Sequence, residues 1–143
     1  MNKMTLAKYL WSFGSIIMIF LGSFHLILTF FTNKFSPKNA AVEESMKLTS
    51  PLLTDKLTIW SGWQGFNASH SAGIIFIGLI NMYLVIHYFK IFESDNVFFL
   101  LNIFTVIFYI FLAYKYWFNI PMFGLLAALV CFVTSYILLI INR

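Results

Sequence analysis

The chain has 143 residues, of which 61% are hydrophobic and only 10% are charged, and its formal charge is +4. Because soluble domains carry about 25% charged residues, this composition excludes an ordinary water-soluble fold. The nine basic residues are spread over loops and termini rather than clustered, which argues against a nucleic-acid partner.

Four apolar segments are long enough to cross a bilayer as α-helices. A bilayer core about 30 Å thick needs roughly 20 apolar residues per helical crossing. The sequence therefore predicts an all-α fold, a polytopic antiparallel bundle of four transmembrane helices forming one domain over residues 1–143. The predicted helices cover about 9–31, 62–89, 97–114 and 121–141, with an extramembrane loop at about 32–59.

Two other interpretations of the apolar segments fit less well. Strands of a membrane β-barrel alternate in polarity, whereas residues 97–101 and 125–133 are apolar on all sides. A cleavable signal peptide has an apolar region of about 7 to 15 residues and a small-residue cleavage site. The first segment is longer and no such site follows it, so we expect this helix to be retained.

The connections also carry local signals. The long loop is predicted to hold one short helix over 40–48, because its acidic residues come early and Lys47 comes near its end. Pro51 should terminate this helix region. The polar run 93–95 is predicted to cap the third membrane helix, and Pro121 to open the fourth.

Orientation follows weakly from the basic residues. Four crossings place both termini on one side, and lysine and arginine divide almost evenly between the two sides. The short and purely basic N-terminal flank favours cytoplasmic termini.

Polar residues inside the apolar segments are the natural place to look for function, because each one needs a partner in hydrocarbon. The first segment places Gly22, His25 and Thr29 on one face. In the second segment, Asn67, His70 and Ser71 share a face. Three small residues at four-residue intervals form a second face, predicted to pack against a helix: Gly65, Ser69 and Gly73.

His25 and His70 are predicted to lie at similar depth near the same membrane surface, since each is within roughly two helical turns of the long loop. If their helices are neighbours, the two imidazoles face each other across a candidate ligand-binding pocket. Its expected lining is Asn67, Ser71, Trp60, Trp63 and Gln64. Two histidines can ligate haem iron or another metal, and an imidazole can hydrogen-bond a quinone or shuttle protons.

The alternative, which the residues alone favour, is structural. In that interpretation His25 and His70 donate hydrogen bonds to carbonyl or hydroxyl groups and hold the bundle in register. Asn81 should likewise pair across the bundle with Asn102, and Cys131 is expected to be a small packing residue. The sequence has no CxxCH or HExxH motif and no acidic residue within the apolar segments, so no catalytic residue is predicted and an enzyme is disfavoured.

A combination of motifs in the first 90 residues resembles a family of small four-helix bacterial membrane proteins with no assigned activity. The motifs are Gly22-x-x-His25, a polar loop with Met46, Trp60, and the run Gly65-Phe-Asn-x-Ser-His70-x-x-Gly73. The resemblance implies a bacterial cytoplasmic membrane location. It marks His25, Asn67 and His70 but implies no function.

Two functional hypotheses follow from the sequence. The first is a non-catalytic accessory or assembly subunit of a membrane complex, or a homo-oligomer, surrounded by membrane lipids and using the long loop to bind a protein partner. The second is a redox or binding protein that holds a cofactor, quinone or lipid at His25 and His70. No cofactor follows from the sequence itself, and haem, a metal ion or a quinone are the candidates.

Overall fold

The computed structural model describes residues 2–142, and the side chains of all of these except 91–93. Within that range the chain is built from helices and turns, with no strand. The helices are α1 (Lys3–Phe31), α2 (Ala40–Leu48), α3 (Ile59–His87), α4 (Phe89–Ser94), α5 (Asn96–Tyr116) and α6 (Asn119–Ile141).

The four long helices α1, α3, α5 and α6 have 29, 29, 21 and 23 residues and are apolar enough to cross a membrane. Even the shortest of them spans about 31 Å at 1.5 Å per residue, which matches a bilayer core. Large side chains such as Phe20, Phe76, Phe104 and Phe123 are exposed along them. An apolar surface of this extent is solvated by lipid rather than by water. The chain is thus an integral membrane protein, and the predicted all-α polytopic fold is confirmed.

The helix bounds differ from the prediction where apolar segments meet polar flanks. Helix α1 begins at Lys3 rather than near residue 9, and α3 runs from Ile59 to His87 rather than from 62 to 89. The sequence criterion counts residues that fit hydrocarbon, whereas a helix continues through polar residues as long as its backbone hydrogen bonds can form. The short helix α4 was not predicted.

The local signals at two helix starts are confirmed. Helix α2 has the predicted bounds, and Lys47 Nζ lies 2.6 Å from Glu43 Oε1 one turn earlier. Its N-cap is Asn39, whose Oδ1 accepts the backbone N–H of Ala41 at 3.0 Å. At α5, Asp95 Oδ1 accepts two backbone N–H groups of the first turn, as the acidic run before this helix predicted.

The chain divides into two compact units. Unit 1 comprises Met1–Leu21 and Ile74–Arg143, and unit 2 comprises Gly22–Gly73. The single domain over residues 1–143 stays a prediction.

A buried polar network lies at the centre of unit 1. Trp11 Nε1 donates a hydrogen bond to Asn81 Oδ1 at 2.9 Å, and Asn81 Nδ2 donates to Asn102 Oδ1 at 2.6 Å. Trp11 and Asn81 are fully buried. The expected pairing of Asn81 with Asn102 is confirmed, and Trp11 is a member that the sequence did not predict. The network connects α1, α3 and α5 through side chains.

The ring of Trp11 is also the centre of the apolar packing in unit 1. Phe99 meets it edge to face at a centroid distance of 4.6 Å, and Phe132 lies 4.4 Å away in a tilted arrangement. Helix α6 is tied to α1 by Ser135 Oγ, which donates to the carbonyl of Ala7 at 2.8 Å. Ser135 and its neighbour on the same face, Ala128, are fully buried, as expected for a packing face.

A close helix contact occurs at Gly78 of α3. A Cβ atom there would lie 2.8 Å from the carbonyl oxygen of Ser15 and 2.6 Å from the side chain of Ile19. At Gly65, in contrast, a Cβ would meet no described atom within 4 Å, and Ser69 is exposed. The predicted ridge of Gly65, Ser69 and Gly73 thus has no close packing partner at Gly65 among the described residues. Its role in helix packing stays a prediction.

These two glycines provide a matched test of helix packing. Gly78→Ala should lower the free energy of unfolding by about 1–3 kcal/mol, because the added methyl group meets backbone that cannot move aside. Gly65→Ala should be neutral or stabilise by about 0.5–1 kcal/mol, because alanine is the better helix former. Reversible unfolding in mixed detergent micelles would measure both. Equal effects of the two substitutions would contradict the contact at Gly78.

Candidate functional site

Unit 2 contains the residues that the sequence marked for ligand binding. Its helical parts are the last turns of α1, which carry His25, and the first turns of α3, which carry Asn67, His70 and Ser71. Between them lie α2 and the remainder of the long loop. We refer to His25, Asn67 and His70 as the histidine cluster.

A hydrogen bond joins the two helices at the histidine cluster. His25 Nε2 lies 3.0 Å from Asn67 Oδ1, and Asn67 Nδ2 donates to the carbonyl of Trp63 at 2.8 Å. Because a carbonyl can only accept, the second bond fixes the orientation of the amide. Asn67 Oδ1 therefore faces the imidazole, and His25 Nε2 must carry the hydrogen.

This arrangement determines the chemistry of the other ring nitrogen of His25. In a neutral imidazole with the hydrogen on Nε2, Nδ1 has a lone pair and acts as an acceptor. No described residue donates a hydrogen bond to that atom. Histidines that bind ligands or metals are held in this way, with one nitrogen donating to an oxygen and the other presented to the ligand.

The second imidazole lies next to the first. The ring centroids of His25 and His70 are 5.5 Å apart with an interplanar angle of 71°, and both residues are half-buried. Phe66 is parallel to the ring of His70 at 6.4 Å. Phe35, from the loop that follows α1, lies 4.8 Å from the ring of His25. The structure therefore brings the two predicted histidines together, with aromatic rings beside each of them.

Ser71 adds a buried polar group one helical turn from Asn67. The residue is fully buried, and its Oγ has no hydrogen-bond partner among the described residues. Buried hydroxyl groups are almost always hydrogen-bonded, to protein, water or a ligand. Because residues four apart share a helix face, Ser71 Oγ belongs to the same side of α3 as Asn67.

The remaining predicted residues lie in the first turns of α3. The rings of Trp60 and Trp63 stack at a centroid distance of 5.0 Å, and Lys47 Nζ lies 5.2 Å from the ring centroid of Trp60. Gln64 is half-buried. Trp63 reaches the histidine cluster through its backbone carbonyl rather than through its ring. The contacts of Phe35 and Lys47 with site residues were not predicted from the sequence. Helical periodicity does not relate residues of the long connection to a face of α1 or α3.

The cluster suits some ligands better than others. Among residues 2–142, leaving aside the side chains of 91–93, no group of three or more His, Cys, Asp or Glu residues could hold a metal ion. His25 and His70 are in direct edge-to-face contact, which leaves no room for a porphyrin between them. The geometry fits hydrogen bonding to a polar group better than ligation of haem iron.

The geometry makes a prediction about the tautomer of His25. In lipid-reconstituted protein labelled with 15N-histidine, the resonances of His25, assigned with His25→Ala, should show an unprotonated Nδ1 and a protonated Nε2. Asn67→Ala should abolish this preference because it removes the acceptor, whereas Gln64→Ala should leave it unchanged. A protonated Nδ1 in the unmodified protein would contradict the assigned orientation of Asn67.

Comparison with known proteins assigns the chain to no family. No family model matches the chain, and no curated protein or solved structure matches it. The resemblance expected from Gly22, His25 and the run at 65–73 stays a prediction. Function is therefore inferred from the histidine cluster itself.

Proposed function

We propose that the chain is a non-catalytic membrane protein that binds the polar headgroup of a lipid-soluble molecule at the histidine cluster. The observation that carries this proposal is the hydrogen bond between His25 Nε2 and Asn67 Oδ1, with the amide held by the carbonyl of Trp63. It prepares His25 Nδ1 to accept a hydrogen bond from a ligand. A group that is oriented before binding loses less conformational freedom on binding.

The chemistry of the cluster indicates what the headgroup must contain. A hydroxyl or another hydrogen-bond donor would satisfy Nδ1 of His25, and a carbonyl or phosphoryl oxygen would accept from Ser71 Oγ. A hydroxyl-bearing lipid presents a donor beside ester or phosphoryl oxygens, and a quinol presents hydroxyl groups that can both donate and accept. Because water is scarce among membrane helices, each of these bonds replaces a partner that the site otherwise lacks.

A binding role fits the distribution of charge better than a catalytic role. All five acidic residues lie outside the four membrane-crossing helices: Glu43, Glu44, Asp55, Glu93 and Asp95. The histidine cluster therefore has no carboxylate on its own helices to orient an imidazole as a general base, which is the usual arrangement in acid–base catalysis.

The second candidate is an accessory or assembly subunit of a membrane complex, or a homo-oligomer, which uses α2 to bind a protein. Helix α2 buries none of its residues. A nine-residue helix is marginal in water by itself, since isolated helices need about 12 to 15 residues. A protein partner lying along α2 would stabilise it.

Ligand extraction from variants tests the leading proposal, and His87 provides a matched control. His87 is the third histidine of the chain, is exposed, and lies beside Tyr83 rather than in the histidine cluster. Protein purified in mild detergent should carry about one extractable lipid-soluble ligand per chain. His25→Ala and His70→Ala should each raise the dissociation constant at least about tenfold, a loss of at least about 1.4 kcal/mol in binding, and so lower the amount of ligand that copurifies, whereas His87→Ala should not.

The same samples show whether the ligand is a quinone or a hydroxyl-bearing lipid. A difference spectrum between oxidised and reduced protein, together with mass spectrometry of the extract, identifies a quinone or a lipid. If the extract holds no stoichiometric ligand, or if all three histidine variants retain it equally, the binding proposal is wrong. The accessory-subunit candidate would then be the one to pursue, by crosslinking from α2.

A further inference from the structure

The chain between α2 and α3 forms a closed loop. The backbone N–H of Ile59 donates to the carbonyl of Thr49 at 2.8 Å, so residues 50–58 leave from and return to one point. Compact loops whose ends are close together are Ω-loops. Within this loop the N–H of Thr54 donates to the carbonyl of Pro51 at 3.2 Å, which makes Leu52 and Leu53 the central residues of a turn.

The two leucines at this turn are fully exposed. Leu52 has 110% and Leu53 94% of the accessibility of the free residue. Central turn positions favour glycine, asparagine, aspartate, serine and proline, each for a conformational reason that leucine does not share. Adjacent leucines contribute nothing to this turn and bury nothing in the described structure. Burial of these two side chains therefore requires an environment outside the described residues.

The position of the loop base indicates that this environment is the bilayer. Ile59, which closes the loop, is the first residue of the membrane-crossing helix α3 and directly precedes Trp60. Trp60 and Trp63 stack on each other, and tryptophan is enriched at the level of the lipid headgroups. A closed nine-residue loop extends at most about 15 Å from its base. The leucines are therefore within reach of the lipid surface.

We infer that Leu52 and Leu53 insert into the boundary between headgroups and acyl chains beside α3, so that residues 50–58 anchor unit 2 to the membrane surface. We call this segment the leucine loop. Two adjacent apolar side chains at the tip of a loop that starts at the headgroup level match the depth of that boundary. Lys56, exposed in the same loop, can contact anionic headgroups, and the neighbouring Asp55 offsets part of this attraction.

The leucine loop is independent of the proposed ligand. None of its residues belongs to the histidine cluster, and the insertion requires only a lipid surface. It also leaves α2 accessible, since the loop begins after Thr49. The loop would fix the N-terminal end of α3, and with it Trp63 and Asn67, relative to the lipid surface.

A fluorophore at the turn measures the insertion directly. Because Cys131 is the single cysteine of the chain, Cys131→Ala provides a background for labelling. Leu53→Cys and, as a control, Lys38→Cys would each be labelled with a nitrobenzoxadiazole dye. Lys38 is an exposed residue of the same unit, before α2. The labelled proteins would be reconstituted at low density in vesicles of phosphatidylcholine and phosphatidylglycerol, with a nitroxide on the upper acyl chain as quencher.

The inference predicts blue-shifted emission at position 53 and at least about twofold stronger quenching by the acyl-chain nitroxide than at position 38. Aqueous iodide should quench the two positions in the opposite order. Because the vesicles contain no other protein, and because the result should not change with protein density, protection at position 53 would come from lipid. Water-like emission and equal iodide quenching at both positions would overturn the inference, as would protection that appears only at high protein density.

Discussion

The structure depends on how polar side chains buried among apolar helices obtain hydrogen-bond partners. Hydrocarbon provides none, so a polar group on a membrane helix is stable only if the protein or a bound molecule satisfies it. In unit 1 the protein does so. Trp11 donates to Asn81, and Asn81 donates to Asn102, so that one amide connects three helices at a fully buried position. The aromatic packing around Trp11 then fills the space between these helices.

Unit 2 meets the same constraint differently. The bond from His25 to Asn67 satisfies one nitrogen of the imidazole and the amide oxygen. It leaves Nδ1 of His25 and the buried hydroxyl of Ser71 without a hydrogen bond from any described residue. Polar groups oriented but not satisfied by the protein are characteristic of binding sites, whereas the complete network of unit 1 is characteristic of a structural core.

The features that depend on local sequence pattern could be predicted from the sequence. Hydropathy located the four crossings, and charge placement located α2. Helical spacing and depth predicted that Asn81 would meet Asn102 and that His25 would lie near His70. Contacts that depend on how each helix is rotated about its own axis could not be predicted from local sequence pattern. Trp11 looked like one more aromatic residue, and Gly78 lacked the small-residue spacing that drew attention to Gly65.

The most direct test of this account compares the unfolding of two variants in ligand-free protein. Asn81→Ala should lower the free energy of unfolding by about 1–2 kcal/mol, because it removes the acceptor of the Trp11 indole N–H and the donor to Asn102 Oδ1 in a buried site. Asn67→Ala should lower it clearly less, because Asn67 and His25 are only half-buried and the proposed function assigns the histidine cluster to a ligand rather than to the fold. If Asn67→Ala were the more destabilising substitution, the histidine cluster would be structural and the division between a structural network and a binding site would be wrong.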